Sequence, residues 1–79
     1  MREFDIILQS LAQVQEFVSL AMVQPFEIWV GNDRQSINGK DLMGMFSLDY
    51  SGPVRVRATC TAEQFSCFRT SAAQFIVSH

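Results

Sequence analysis

The side chains able to do chemistry in this chain are few and scattered. Two thiols, Cys60 and Cys67, one imidazole, His79, the hydroxyls of Ser10 and Ser47 and the carboxylate of Asp41 are those whose positions carry an argument. A zinc site takes about four ligands, and two cysteines with one histidine do not supply them. Two cysteines are also too few for the disulfide framework of a small secreted scaffold, so they read as reduced, mostly buried thiols. Catalysis by a nucleophile requires a partner base, and a phosphate-binding loop requires closely spaced glycines. Neither pattern occurs, nor does a pair of acids placed to flank a cleft. The chain reads as a protein that is not an enzyme and that holds no metal and no cofactor.

Ser10 and Asp41 stand instead where helices should begin. Ser10 with Gln13 has the Ser-x-x-Gln form of a capping box, and Leu11, Val14, Val18, Ala21 and Met22 then recur at helical spacing. The spacing predicts a helix over residues 11–23, ended by Pro25, because proline disfavours the helical conformation in its predecessor. Asp41 is placed as the N-cap of a short apolar helix over 42–48, after the turn residues Asn38 and Gly39. A second possible capping box, Thr61 with Gln64, opens a stripe of Phe65, Phe68, Ala72, Phe75 and Ile76 that predicts a last helix running nearly to the C-terminus.

Strands fill the intervals. Phe4, Ile6 and Leu8 alternate with Glu3, Asp5 and Ile7 over residues 2–8. Phe26, Ile28 and Val30 alternate with Glu27 and Trp29, and Gly31-Asn32-Asp33 turns the chain into a short strand over 35–37. Val54, Val56 and Ala58 alternate with Arg55 and Arg57. The order is β-α-β-β-α-β-α, with no internal repeat or linker. Glu3 and Asp5 on the outer side of the first strand would be compensated by Arg55 and Arg57 on the outer side of the last, which favours pairing those two strands. The helices would then cover one face of the sheet, with Phe4, Ile6, Val18, Phe26, Ile28, Val56, Phe65, Phe68 and Ile76 in the core. Ile7 and Trp29 would lie on the open face, a feature compatible with self-association.

Composition bounds the function classes. The 79 residues hold one core, expected as a single domain over residues 1–79. Hydrophobic residues at 48% against 18% charged separate the chain from the charge-rich composition of disorder. With a formal net charge of −2 and its six basic residues dispersed, an electrostatic nucleic-acid footprint is not expected. No apolar run reaches the ~18–20 residues that span a bilayer, and Glu3 and Asp5 stand where a secretion signal would be basic and then apolar. A cytoplasmic protein without a membrane partner is expected.

The stretch Ile37-Asn38-Gly39-Lys40-Asp41-Leu42-Met43-Gly44-Met45-Phe46-Ser47-Leu48 resembles the Lys-Ser-Ile-Met-Gly-x-x-x-Leu signature of the HPr family, the histidine-containing phosphocarriers of the bacterial sugar phosphotransferase system. The resemblance spans nearly the whole chain apart from a shortened first loop. It implies an α+β fold, an open-faced β-sandwich of antiparallel order 1-4-2-3 with three helices on one face, in agreement with the charge pairing of the first and last strands. It also implies phosphate transfer through a histidine in a His-Ala-Arg-Pro motif at the start of the first helix. This chain has Ser10-Leu11-Ala12-Gln13 there, so Ser10 takes the place of the histidine and Ala12 that of the phosphate-contacting arginine. A serine phosphate ester lacks the transfer potential of a phosphoramidate, and Ser10 reads as a plain N-cap.

The family's second, regulatory phosphosite is a serine that opens the second helix, and Asp41 replaces it here. Asp41 is either a fixed negative charge that partly imitates phosphoserine or simply a good cap. By resemblance, partners would dock on Asp41, Leu42, Met43 and Phe46, with Leu42 and Met45 also serving the core. The expected function is a non-catalytic protein-binding or regulatory module related to the sugar phosphotransferase system. Its partner would be another protein, either a component of that system or a transcriptional regulator. The alternative is a divergent phosphocarrier using an unidentified acceptor, for which Ser10, Ser47 and His79 are the candidates.

Overall fold

The computed structural model describes residues 2–76 of the chain. Strand β1 (Arg2–Ile6) leads to helix α1 (Leu11–Met22), strands β2 (Ile28–Gly31) and β3 (Ser36–Asn38), helix α2 (Leu42–Phe46), strand β4 (Val54–Ala58) and helix α3 (Ala62–Ser71), followed by a 3-10 turn over Ala73–Phe75. The sheet is antiparallel in the order β1-β4-β2-β3. Register follows the charges read from the sequence. Glu3 lies opposite Arg57 and Asp5 opposite Arg55, and Arg55 Nε donates to Asp5 Oδ1 at 3.1 Å. The guanidinium of Arg55 is held above its ordinary pKa, first by that hydrogen bond and then by the charges of Asp5 and Glu3.

Period-two alternation places one side of each strand inside. Val54, Val56 and Ala58 are buried while Arg55 and Arg57 face outward, and Ile28 and Val30 are buried on either side of half-exposed Trp29. Onto this face the helices bring aromatic rings, and Phe68 is the hub. Its ring lies 5.7 Å from that of Phe4, 6.0 Å from Phe17 and 5.9 Å from Phe26, spacings at which tilted aromatic pairs attract.

Several sequence expectations are corrected. The buried stripe of α1 is Val14, Phe17, Val18 and Ala21, whereas Leu11 and Met22 are exposed. Both stripes satisfy the helical period, and packing against the Phe68 ring selects the one that contains Phe17. Phe65 and Ile76 only border the core. The last helix ends at Ser71, after which the chain tightens so that the Phe75 carbonyl accepts from Ile7 N at 2.8 Å and Ile76 bridges Ile6. Edge formation thus takes residues that periodicity assigned to a helix. Cys67 is exposed and Cys60 half-buried, in place of the buried thiols expected. His79 lies outside the described residues.

Candidate functional site

The two helix starts singled out by their caps are built as local chemistry dictates. Ser10 is extended (φ −151°, ψ 162°) and its hydroxyl accepts from Gln13 N at 3.2 Å, satisfying one of the free N–H groups of the first turn. The Gln13 side chain reaches one residue further back than a capping box requires and accepts from Gln9 N. By contrast the Thr61–Gln64 box of α3 is complete. Asp41 caps α2 by accepting from Gly44 N at 3.2 Å through Oδ1.

A five-residue helix has little intrinsic stability, and α2 is held at its start by a long-range contact to α1 and at its end by local side-chain bonds. Lys40 Nζ, one residue before its cap, donates to the Gln24 carbonyl just past the end of α1 at 2.7 Å. At the other end, Ser47 Oγ donates to the Gly44 carbonyl at 2.7 Å and Tyr50 OH to the Met45 carbonyl at 2.5 Å, so the last turn does not leave those oxygens unpaired. Met45 is fully buried and Leu48 nearly so. Gly44 is required by close approach: a Cβ there would meet Ile37 Cγ2 at 2.8 Å and Asp41 Oδ2 at 2.9 Å.

These contacts explain most of the motif read from the sequence. Lys40 ties α2 to α1, Gly44 lets α2 seat on β3, and Leu48 fills the core. Leu42 and Phe46 are half-buried against the core. Met43 is different, because it is 77% exposed and so makes little packing contribution to the domain. Asp41, Leu42, Met43 and Phe46 therefore share one short helix, with Asp41 and Met43 outward and the other two at the rim. Ser10 is not part of this cluster. The Lys40 bond sets the start of α2 beside the end of α1, and Ser10 caps the opposite end of a twelve-residue helix about 18 Å long.

Residues that sequence reasoning assigned to the stripe of α1 or to its end are exposed at both ends of that helix. Leu11, Met22 and Val23 are 67%, 62% and 76% exposed. Eleven residues, close to three full turns, separate Leu11 from Met22, so both lie on one side of α1. The signal available in the sequence was the surplus of apolar residues in α1, more than one buried stripe can absorb.

The Tyr50 phenol is pushed up to about 12 by burial. Its neutral form is the one the fold favours, so its contribution to stability is complete below the ordinary value near 10 and is lost as pH rises through about 12. Urea unfolding of the parent at pH 8 and pH 11, beside Tyr50→Phe, should show a larger alkaline loss in the parent. At pH 8 the variant should be less stable by about 1 kcal/mol, the worth of its bond to the Met45 carbonyl. Equal alkaline losses would remove Tyr50 from this role.

No family model and no curated protein matches the chain. Among solved structures, HPr-C-His from Thermoanaerobacter tengcongensis is similar with a TM-score of 0.71 at 26% sequence identity, covering 89% of each chain. The fold is HPr-like: a four-stranded antiparallel open sheet with three helices on one face. Among the described residues, no helix is long and apolar enough to cross a membrane.

Proposed function

We propose that this is an HPr-like protein that transfers no phosphate and acts as a protein-binding or regulatory module related to the sugar phosphotransferase system. The observation that carries the reading is the start of α1. The residue capping that helix is Ser10, its hydroxyl engaged with Gln13 N, and Ala12 and Gln13 follow it with neither an imidazole nor a guanidinium among them. Phosphate transfer of the HPr type runs through an imidazole nitrogen whose phosphoramidate keeps a high transfer potential, and this helix start offers only an alcohol, whose phosphate ester is a poor donor. The likeness to an HPr supports the link to that system, and the outward Met43 beside Asp41 supports α2 as the contact surface. The partner is another protein, either a phosphotransferase component or a transcriptional regulator, acting in the bacterial cytoplasm.

The test uses the full chain with phosphoenolpyruvate and the phosphotransferase enzyme, read by intact mass at neutral pH. Mass is expected to stay unchanged while an authentic HPr in the same tube is phosphorylated. One acid-labile phosphate on this chain would overturn the proposal and favour a phosphocarrier with an unrecognised acceptor.

A further inference from the structure

We propose that the Asn38–Gly39 peptide is a site of spontaneous deamidation, closed while β3 is paired with β2 and placed so that its isoaspartate product unseats α2. The two residues join the end of β3 to the cap of α2. Asparagine followed by glycine is the pair most open to this reaction, because glycine has no Cβ to hinder its nitrogen in reaching the asparagine side chain. Here the glycine is dictated by packing: it is buried, and a Cβ on it would meet Ile28 Cγ2 at 2.8 Å. The fold thus carries the reactive pair for a reason unrelated to the reaction. The other asparagine, Asn32, precedes Asp33, whose side chain hinders the same approach.

One reaction partner is prepared and the other is withheld. Asn38 is exposed, and its Oδ1 accepts from Lys40 N at 2.9 Å, a bond that polarises the side-chain carbonyl and stabilises negative charge developing on that oxygen. The nucleophile is Gly39 N, whose proton is donated to the Ile28 carbonyl of β2 at 2.8 Å. While that bond holds, the nitrogen can neither lose its proton to solvent nor turn toward Asn38 Cγ. Once β3 opens, Gly39 N gives its proton to hydroxide and attacks Cγ, the Cγ–Nδ2 bond breaks, and ammonia leaves with a proton taken from water. A water molecule then opens the succinimide ring at either carbonyl, leaving aspartate or isoaspartate at position 38. In the isoaspartate the main chain runs through Cγ, one methylene longer, and the former main-chain carbonyl becomes a free carboxylate. That carbonyl accepts from Asp41 N at 2.9 Å, so the change falls inside the turn that delivers the cap of α2.

The full chain is incubated at pH 8, folded in buffer and unfolded in guanidinium chloride, and conversion at each asparagine is followed by peptide mapping with mass spectrometry. Conversion at Asn38 should be at least about tenfold slower in the folded chain, by the same factor that protects the Gly39 amide from hydrogen exchange, since both wait on one opening. Gly31→Ala, whose Cβ would collide with the Gln35 main chain of the hairpin, should convert faster than Gly52→Ala, where a Cβ meets nothing within 4 Å. If Gly31→Ala does not fold, the two rates of the parent decide alone. In the purified isoaspartate form, the 15N spectrum should show displaced amides at Asp41 and Gly44. Equal rates in the folded and unfolded parent would overturn the gating, and product at Asn32 ahead of Asn38 in the unfolded chain would overturn the site. Unmoved Asp41 and Gly44 amides in the isoaspartate form would overturn the coupling to α2.

Discussion

Replacing Phe68 with alanine is expected to lower the unfolding free energy by about 3–5 kcal/mol, the range for removing a buried phenylalanine. Phe68 is fully buried and its ring touches the packing spheres of Phe4 from β1, Phe17 from α1 and Phe26 before β2. Truncation therefore leaves a void walled by three other aromatic rings, none of which can close it without losing its own contacts. A 79-residue domain has a total stability on the order of 4–12 kcal/mol, so Phe68→Ala could consume most of it. The control is Phe65→Ala one turn earlier, where the ring is half-buried at the border of the core and forms one aromatic pair, with Phe4 at 5.6 Å. Its loss should be about 1–2 kcal/mol. Urea unfolding monitored by circular dichroism gives both values, and similar losses at the two positions would show that Phe68 is not the hub.

Gly31→Ala is expected to cost about 3 kcal/mol or more, because an added Cβ would sit 2.1 Å from the backbone oxygen of Gln35 and 2.9 Å from Ser36 Cα. No side chain can rotate away there, since the obstacle is the main chain of the β2–β3 hairpin, closed by Asn32 N donating to that same Gln35 oxygen at 3.0 Å. Relief requires the hairpin to open. Hydrogen exchange should then show protection lost first at Asn32 and over β3, and with it a weakened seat for α2, which packs on Ile37. Gly52→Ala is the comparison: a Cβ there meets nothing within 4 Å, and stability should change by no more than about 0.5 kcal/mol. A Gly31→Ala protein as stable as the parent, with an intact hairpin, would show the contact to be soft.

Element order, helix starts and strand pairing were legible in the sequence because they rest on local or short-range physics. A cap needs only a hydroxyl or carboxylate three residues before an N–H, as at Ser10, Asp41 and Thr61. Strand faces need only alternation, and the pairing of β1 with β4 was announced by opposite charges at matching positions. The candidate site was half legible. The resemblance pointed to Asp41, Leu42, Met43 and Phe46, but it did not separate the side chains that hold α2 in place from the one that does not.

That separation belongs to tertiary structure. Periodicity admits two apolar stripes on α1, and only the position of the Phe68 ring decides that Phe17 goes in while Leu11 and Met22 stay out. Lys40 enters the sequence reading only as the lysine of the resembling motif, and the fold gives it a structural role by setting its ammonium on a carbonyl sixteen residues away. The last helix stops at Ser71 because Phe75 and Ile76 are needed at the edge of β1. Sequence alone determined that no imidazole stands at the start of α1, since that depends on composition and spacing. Which apolar side chains remain outside was decided by packing, because a fixed core volume accepts only those residues that the neighbouring elements leave room for.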